Sequence, residues 1–365
     1  MRIGFFSETF LPQRNGVVTV IESFGEELAR RGHEVHVYCP DMGIKSHKGM
    51  TIHSRPSFPF LPYPEFRVGI PLGPVEKLDI VHTHGPFLMG KYGLRVARKQ
   101  KIPKISTFHT LLSEYVGYIW PTRFGRSLVK RLAWEYCFSH YNMYDRITTP
   151  SQAIKDMMKL DVPIDVLPAG IDTKLLKPQS RKKSREKLGL GDGKVYLCLG
   201  RLSFEKNLDF VINASKKFLD HDSRLLIVGR GPAMPRLQEQ VRKLGIEDRV
   251  KFPGYVSDTE KVKYYSAADA FLMASTSETQ GMVVLEAMAC GCPVIAADAL
   301  AIPEFVHDRK NGFLYRPNDE KQLIETIGGF DFTKKMSGKA LDTAREYSVQ
   351  KCTDRLEGLY ELLSK

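Results

Sequence analysis

The strongest constraint on the fold is one repeated unit: a short apolar run, a polar loop, an amphipathic stretch and another apolar run. The chain begins with RIGFFS (residues 2–7), a loop reaching Asn15-Gly16, a helical pattern over about 17–31 stopped at Gly32, and then EVHVYC. A crossover helix of that length returns the chain to the same sheet edge, so the two strands must run parallel. Further apolar runs follow at LDIVHTH, KISTFHT and ITTPS, and the series restarts beyond residue 180 with VYLCLG, LLIVG, VKFPG, DAFLMAS and PVIAA, separated by helical patterns. Two such series in 365 residues predict an α/β protein of two doubly wound parallel sheets. The expected limits are residues 1–168 for the first domain and 169–345 for the second. A last helix within 346–365, with Cys352, Leu356, Leu359 and Leu363 on one face, is expected to cross back to the first domain.

In such sheets ligands bind where strands deliver their carboxyl ends to loops and helix amino termini. The loops to inspect are therefore 7–16, 82–86, 109–115, 200–207, 229–232, 254–258 and 275–281. The six cysteines lie in apolar runs without metal-ligand spacing and read as reduced core residues. No apolar run is long enough to span a membrane and the first residues lack a signal-peptide pattern, so a cytoplasmic protein is expected. The formal charge of +12 suggests anionic partners, and residues 91–146 carry eleven Lys/Arg against three Asp/Glu. Nucleic-acid binding is one reading of that bias, although no recognised nucleic-acid motif occurs.

GRLSFEKN puts Arg201 and Lys206 in one strand-to-helix loop, where two cations can hold a diphosphate or simply decorate a turn. SETQGMVVLEAMACGCPVIAA (277–297) places Glu278 ahead of Gly281 and Glu286 inside the helix that starts there. Glu278 with the amides of Thr279–Met282 can hold polar uncharged groups, and Glu286 can accept hydrogen bonds from hydroxyls, as on a sugar or ribose. The alternative is a helix-start acid and a charged helix residue, but an unpaired Glu286 among apolar neighbours would be costly. Asp220-His221-Asp222 fits a metal-binding D-x-D but precedes its strand, at the wrong sheet edge, and reads as a turn. His82 and His84 could ligate a metal only with a third ligand; lining a cleft or capping a strand is the simpler role.

The ordered set GRLSFEKN, VGRGP, FPGYV and SETQGMVVLEAMACGCPVIAA resembles the retaining glycosyltransferases of family four, which have the GT-B fold, and the likeness covers nearly the whole chain. The resemblance implies that Arg201 and Lys206 bind the nucleotide diphosphate, Glu286 the ribose, and Glu278 with Thr279, Gln280, Gly281 and Met282 the donor sugar and phosphate. It further implies that Gly16 lets a loop approach the phosphates and that His109 lies near the sugar, although a core histidine would also fit the end of its strand. The base would lie near Gly229, Arg230 and Val256. The implied reaction is transfer with retention from a nucleotide-diphosphate sugar, a UDP-sugar being expected, with no cofactor and no catalytic metal. Departures are Asn15-Gly16 in place of a glycine pair, Glu304 in ALAIPE where relatives have Gly-Gly before the glutamate, and ETQG at the sugar-binding loop. A GT-B protein of another reaction type, such as an epimerase or phosphorylase, remains an alternative.

Residues 56–71 read as an apolar-aromatic, proline-rich loop, and 111–138 as a basic, aromatic segment. There Arg123, Arg126, Lys130 and Trp134 form one stripe and Leu128, Leu132 and Tyr136 another. The cationic stripe, with Tyr118 and Trp120, is expected to face an anionic membrane surface while the other packs on the domain; an ordinary solvated helix with a partly buried Trp134 is the alternative. The proline-aromatic loop and the FHTLLSEYVGYI stretch look like those of family-four enzymes that glycosylate diacylglycerol-type lipids, which implies a membrane-lipid acceptor and peripheral attachment to the cytoplasmic membrane; a soluble sugar, sugar phosphate or polysaccharide acceptor is the alternative.

Overall fold

A computed structural model describes residues 1–13, 15–41, 43–60, 63–109, 111, 126–331 and 333–365, with backbone alone at 63–66 and 126. Tyr118, Trp120 and Arg123 lie outside the described residues. Two compact units emerge, one formed by Met1–Gly170 with Val349–Lys365, the other by Ile171–Ser348.

The first unit is built on an eight-stranded sheet. Its strands are β1 (Arg2–Phe6), β2 (Glu34–Pro40), β3 (Ser46–His47), β4 (Met50–Arg55), β7 (Ile80–Thr83), β8 (Lys104–Thr107), β9 (Arg146–Thr149) and β10 (Ile164–Val166). The order is β10-β9-β8-β7-β1-β2-β4-β3, parallel except for the β3–β4 pair. A separate hairpin pairs β5 (Ser57–Phe60) with β6 (Tyr63–Gly69). The sequence suggested a loop here. Proline disfavours a helix but fits an extended strand with free edges, and Pro59 pairs opposite Arg67, whose guanidinium binds the Ser57 hydroxyl and carbonyl at 2.8 Å each.

The second sheet contains β11 (Val195–Leu199), β12 (Arg224–Val228), β13 (Val250–Gly254), β14 (Ala270–Met273), β15 (Val294–Ala297) and β16 (Phe313–Tyr315). All pairs are parallel in the order β13-β12-β11-β14-β15-β16. Alternate residues of β11 enter two cores: Val195 and Leu197 pack with Val284 and Met288 of the Met282–Ala289 helix, Tyr196 and Cys198 with Val211 and Ile212 of the Leu208–Phe218 helix. Helices therefore cover both faces, which is why the central strands are apolar throughout.

The Val349–Leu363 helix belongs to the first unit. Arg31 binds Asp354 at 2.7 Å and the Gln350 carbonyl at 3.0 Å, and also pairs with Glu357, while Tyr360 reaches His82 at 2.7 Å. Both sheets have a point where the strand order departs in opposite directions: β1, between β7 and β2, and β11, between β12 and β14. Loops diverge there, leaving a crevice at the carboxyl edge.

Candidate active site

At the second switch point the loops after β11 and β14 open side by side and are tied together. Asn207 donates to the Ala274 carbonyl at 3.3 Å, and Ser275 donates to the Glu205 carbonyl at 3.1 Å. Arg201 opens the first of these loops. Lys206 closes a single 3₁₀ turn, Phe204–Lys206, and its ammonium meets Glu278 Oε1 at 2.5 Å. That contact uses one of three ammonium N–H groups, so a tethered, pre-oriented cation still has donors for an anion. The next helix, Met282–Ala289, starts from Gly281 at φ +81° and has no acid in its first turn. Any side chain at 281 would be strained by that angle and would bring Cβ within 2.6 Å of Ile302 Cδ1. Gln280 is buried and Thr279 half-buried beside it.

Glu286 lies deeper and does not join the Lys206–Glu278 pair. Its Oε1 accepts from Lys261 at 2.9 Å and its Oε2 from the Tyr265 hydroxyl at 2.9 Å. Burial would lower the Lys261 pKa, but the Glu286 and Asp258 carboxylates hold it above its ordinary value. Burial, reinforced by Glu286, pushes the Tyr265 phenol far up, so it stays a hydrogen-bond donor. Each carboxylate oxygen retains a second lone-pair direction for a hydroxyl. Gly229 and Arg230 follow β12, and Val256 follows β13, on the same edge.

At the first switch point Asn15 caps the Gly16–Arg30 helix, accepting from the Val18 amide at 3.1 Å while its own amide group donates to Thr9 at 3.0 Å. A Cβ at Gly16 would meet nothing within 4 Å. The surrounding protein therefore does not require glycine there, which leaves room for a ligand to approach the backbone. His109 lies two residues beyond the end of β8 and is half-buried; its Nε2 lies 2.9 Å from His84 Nδ1. Burial lowers the His109 and His82 pKa values to about 3, and burial with the neighbouring imidazoles lowers that of His84 well below normal, so all are neutral at pH 7. Glu8, 4% exposed, accepts from the Met89 amide at the start of the Leu88–Gln100 helix. Burial raises its pKa to about 7 against the lowering effect of the Met89 and Gly90 amides.

The basic segment differs from its sequence reading. In the Arg126–Tyr141 helix, Trp134 stacks on Phe108 at 6.0 Å and leans on Phe138 at 5.2 Å, while Lys130 is half-buried. Leu128 and Leu132 are 60% and 53% exposed, with Tyr136 and Arg131 on the same outward face. Among the described side chains of the two stripes, Trp134 thus packs inward and Leu128 and Leu132 face outward, the reverse of the expected placement: the indole carries more apolar area than a leucine, and Phe108 offers it a flat partner.

Lys261, Tyr265 and Glu8 were not singled out as site residues from the sequence. Lys261 and Tyr265 are four apart in one helix and so share a face, a spacing that suits one buried acid. Asp220 closes a turn, accepting from the Ser223 amide at 2.8 Å and hydroxyl at 2.6 Å. Among the described residues no group of three His, Cys, Asp or Glu side chains is placed to hold a metal.

Residues 14–175 match the model of Glycosyltransferase Family 4, and residues 180–330 that of Glycosyl transferases group 1. An alpha-monoglucosyldiacylglycerol synthase of Streptococcus pneumoniae is 36% identical over 86% of this chain and 75% of its own length. The enzyme of that name from Acholeplasma laidlawii is 31% identical over all of this chain and 98% of its own. The chain belongs to glycosyltransferase family four. It has the GT-B fold: sucrose-phosphate synthase from Thermosynechococcus elongatus superposes with TM-score 0.81 at 19% identity, over 99% of this chain and 98% of that one. HepE of Anabaena, solved with UDP-glucose, superposes with TM-score 0.77 at 21% identity over the full length of both. This family-four chain is an enzyme, a glycosyltransferase.

Proposed function

We propose that the chain transfers a sugar from a UDP-sugar, with retention of configuration, to the free hydroxyl of a diacylglycerol-type lipid at the cytoplasmic membrane surface. The observation that carries the donor half is the Lys206–Glu278 contact at 2.5 Å beside Arg201, at the switch point of the second sheet. Arg201 and Lys206 bind the diphosphate and neutralise the charge that grows on it as the sugar–oxygen bond breaks. The acceptor oxygen bonds to the anomeric carbon on the face the phosphate leaves, and its proton passes to the departing phosphate oxygen. Glu278, Thr279, Gln280, Gly281 and Met282 hold the sugar and phosphate, Glu286 the ribose hydroxyls, Gly229, Arg230 and Val256 the base. Gly16 admits the phosphates, and His109 faces the sugar.

The lipid half is supported by two relatives named for diacylglycerol glucosylation, each above 30% identity. It also fits the outward Leu128 and Leu132, an exposed apolar pair beside the Arg131–Glu135 ion pair, which suits the boundary between headgroups and acyl chains. No helix among the described residues is long and apolar enough to cross a membrane, so attachment would be from the surface. Thermal-shift measurements against nucleoside diphosphates and their sugars test the donor assignment, because a ligand bound only by the folded protein raises the midpoint. UDP and a UDP-sugar are expected to stabilise the protein more than their guanosine or adenosine counterparts. No response to any nucleotide at millimolar concentration would remove it.

A further inference from the structure

Glu286 is held by two residues of a single neighbouring helix. Lys261 and Tyr265 stand one turn apart in the helix Asp258–Ala267, and each ties a different carboxylate oxygen: Lys261 Nζ lies 2.9 Å from Oε1 and the Tyr265 hydroxyl 2.9 Å from Oε2. That helix is itself anchored. Its first turn is closed by a capping box, in which the Ser257 amide donates to Glu260 Oε2 at 3.0 Å and the Ser257 side chain accepts from the Glu260 amide. Asp258 lies 3.0 Å from the Lys261 ammonium, and Phe271 stands edge-on to the Tyr265 ring at 5.7 Å. Tyr265 is fully buried, and the side chains of Lys261 and Glu286 are 17% and 8% exposed. A free carboxylate turns easily about its last torsion, whose minima are broad. Here a donor on each oxygen removes that freedom.

A carboxylate offers about four lone-pair sites, shared equally by its two oxygens. Lys261 and Tyr265 occupy one on each oxygen, which leaves one open on Oε1 and one on Oε2, side by side. Two adjacent hydroxyls fill that pair; a single hydroxyl does not. We propose that Lys261 and Tyr265 are positioning residues that lock Glu286 as a two-point acceptor for a vicinal diol, so that the site selects ribonucleoside over 2′-deoxyribonucleoside diphosphates and their sugars. The inference rests on the proposed placement of the donor ribose at Glu286. Lys261 also supplies the counter-charge that offsets the cost of keeping this carboxylate out of water. A deoxyribose leaves one of the two acceptors bare, and a site built to bind a hydroxyl rejects the analogue lacking it because its buried partner goes unpaired.

Calorimetry on the full chain with UDP, 2′-deoxy-UDP and 2′,3′-dideoxy-UDP reads this selection without turnover, since all three carry the same base and diphosphate. UDP is expected to bind about tenfold tighter than 2′-deoxy-UDP, the scale of one hydrogen bond to a charged acceptor, and the dideoxy analogue more weakly still. Glu286→Ala should bring the three affinities together, which checks the ribose placement itself. Tyr265→Phe removes one hydroxyl, and Lys261→Met keeps the side-chain length without the charge. Each should shrink the ratio of UDP to dideoxy-UDP affinity by about tenfold. The ratio cancels any change that the lost charge makes at the diphosphate. In the Glu286→Ala background neither substitution should alter it further. Variants at 261 and 265 that keep the full ratio, or lose affinity for all three nucleotides alike, would overturn the inference while Glu286→Ala upholds the ribose placement. A Glu286→Ala protein that still prefers UDP would overturn that placement, and the inference with it.

Discussion

Lys206 and Glu278 form one device with two separable functions. Loss of either cation, Arg201→Ala or Lys206→Ala, is expected to weaken UDP binding by about 1–3 kcal/mol, the range for a charge-assisted hydrogen bond. Glu278→Gln removes a negative charge beside the diphosphate while leaving an amide that can still hold a hydroxyl. UDP affinity measured by calorimetry should therefore stay level or rise, while turnover at saturating donor falls. Equal loss of UDP affinity in Glu278→Gln and Lys206→Ala would show that the carboxylate serves only to place the ammonium. With Arg201 and Lys206 proposed to supply the positive charge on the leaving group, turnover after exhaustive chelation is expected to match the untreated enzyme; a strong loss restored by Mg²⁺ would contradict that role. Glu286 shows where sequence reading stopped. Its position among apolar residues demanded partners, but only the structure shows that these are Lys261 and Tyr265, brought in from another helix.

Elements with one strong determinant were legible from the chain. The helices over Leu208–Phe218 and Met234–Leu244 follow the apolar spacing, and the apolar strand runs reappear at β11, β12 and β14. Legibility failed where two solutions were close in energy. The Arg126–Tyr141 helix has two stripes able to pack inward, and the choice depends on Phe108, a residue distant in sequence. The 57–69 hairpin was hidden by its prolines, since pairing between two edge strands leaves no local signature. The reversed helix leads to a specific expectation. Leu128→Asn with Leu132→Asn should weaken binding to anionic vesicles by on the order of 1 kcal/mol per leucine, part of the value of a fully buried side chain. Arg131→Glu should steepen the loss and reduce its salt dependence. Co-sedimentation unchanged by the leucine pair would place the membrane contact elsewhere.

The two units of the molecule are expected to respond differently to acid. Buried His82, with a pKa near 3, takes no proton in the folded state at pH 5, whereas its unfolded counterpart does. Unfolded chains then bind more protons than folded ones, so stability rises with pH across this window and falls as pH drops from about 6.5; His82 alone contributes roughly 2 kcal/mol between pH 6.5 and 5. His84, His109 and His140 act in the same direction. Glu8, raised to about 7, opposes them with one proton, since its folded carboxyl binds a proton that the unfolded one has released. The histidines outnumber it, and all these groups lie in the first unit. Hydrogen exchange at pH 5 should therefore show β1, β7 and β8 losing protection before β11, β12 and β14; the reverse order would contradict the assignment of neutral buried imidazoles. The central claim, however, concerns what the whole molecule makes. The most direct measurement is incubation of the purified chain with radiolabelled UDP-glucose and vesicles of diacylglycerol in anionic phospholipid, followed by lipid extraction and NMR of the product. The account requires label in the lipid fraction as an α-linked glycosyl-diacylglycerol, absent with Lys206→Ala. Label recovered only in a soluble glycoside, or a β-linked lipid, would contradict it.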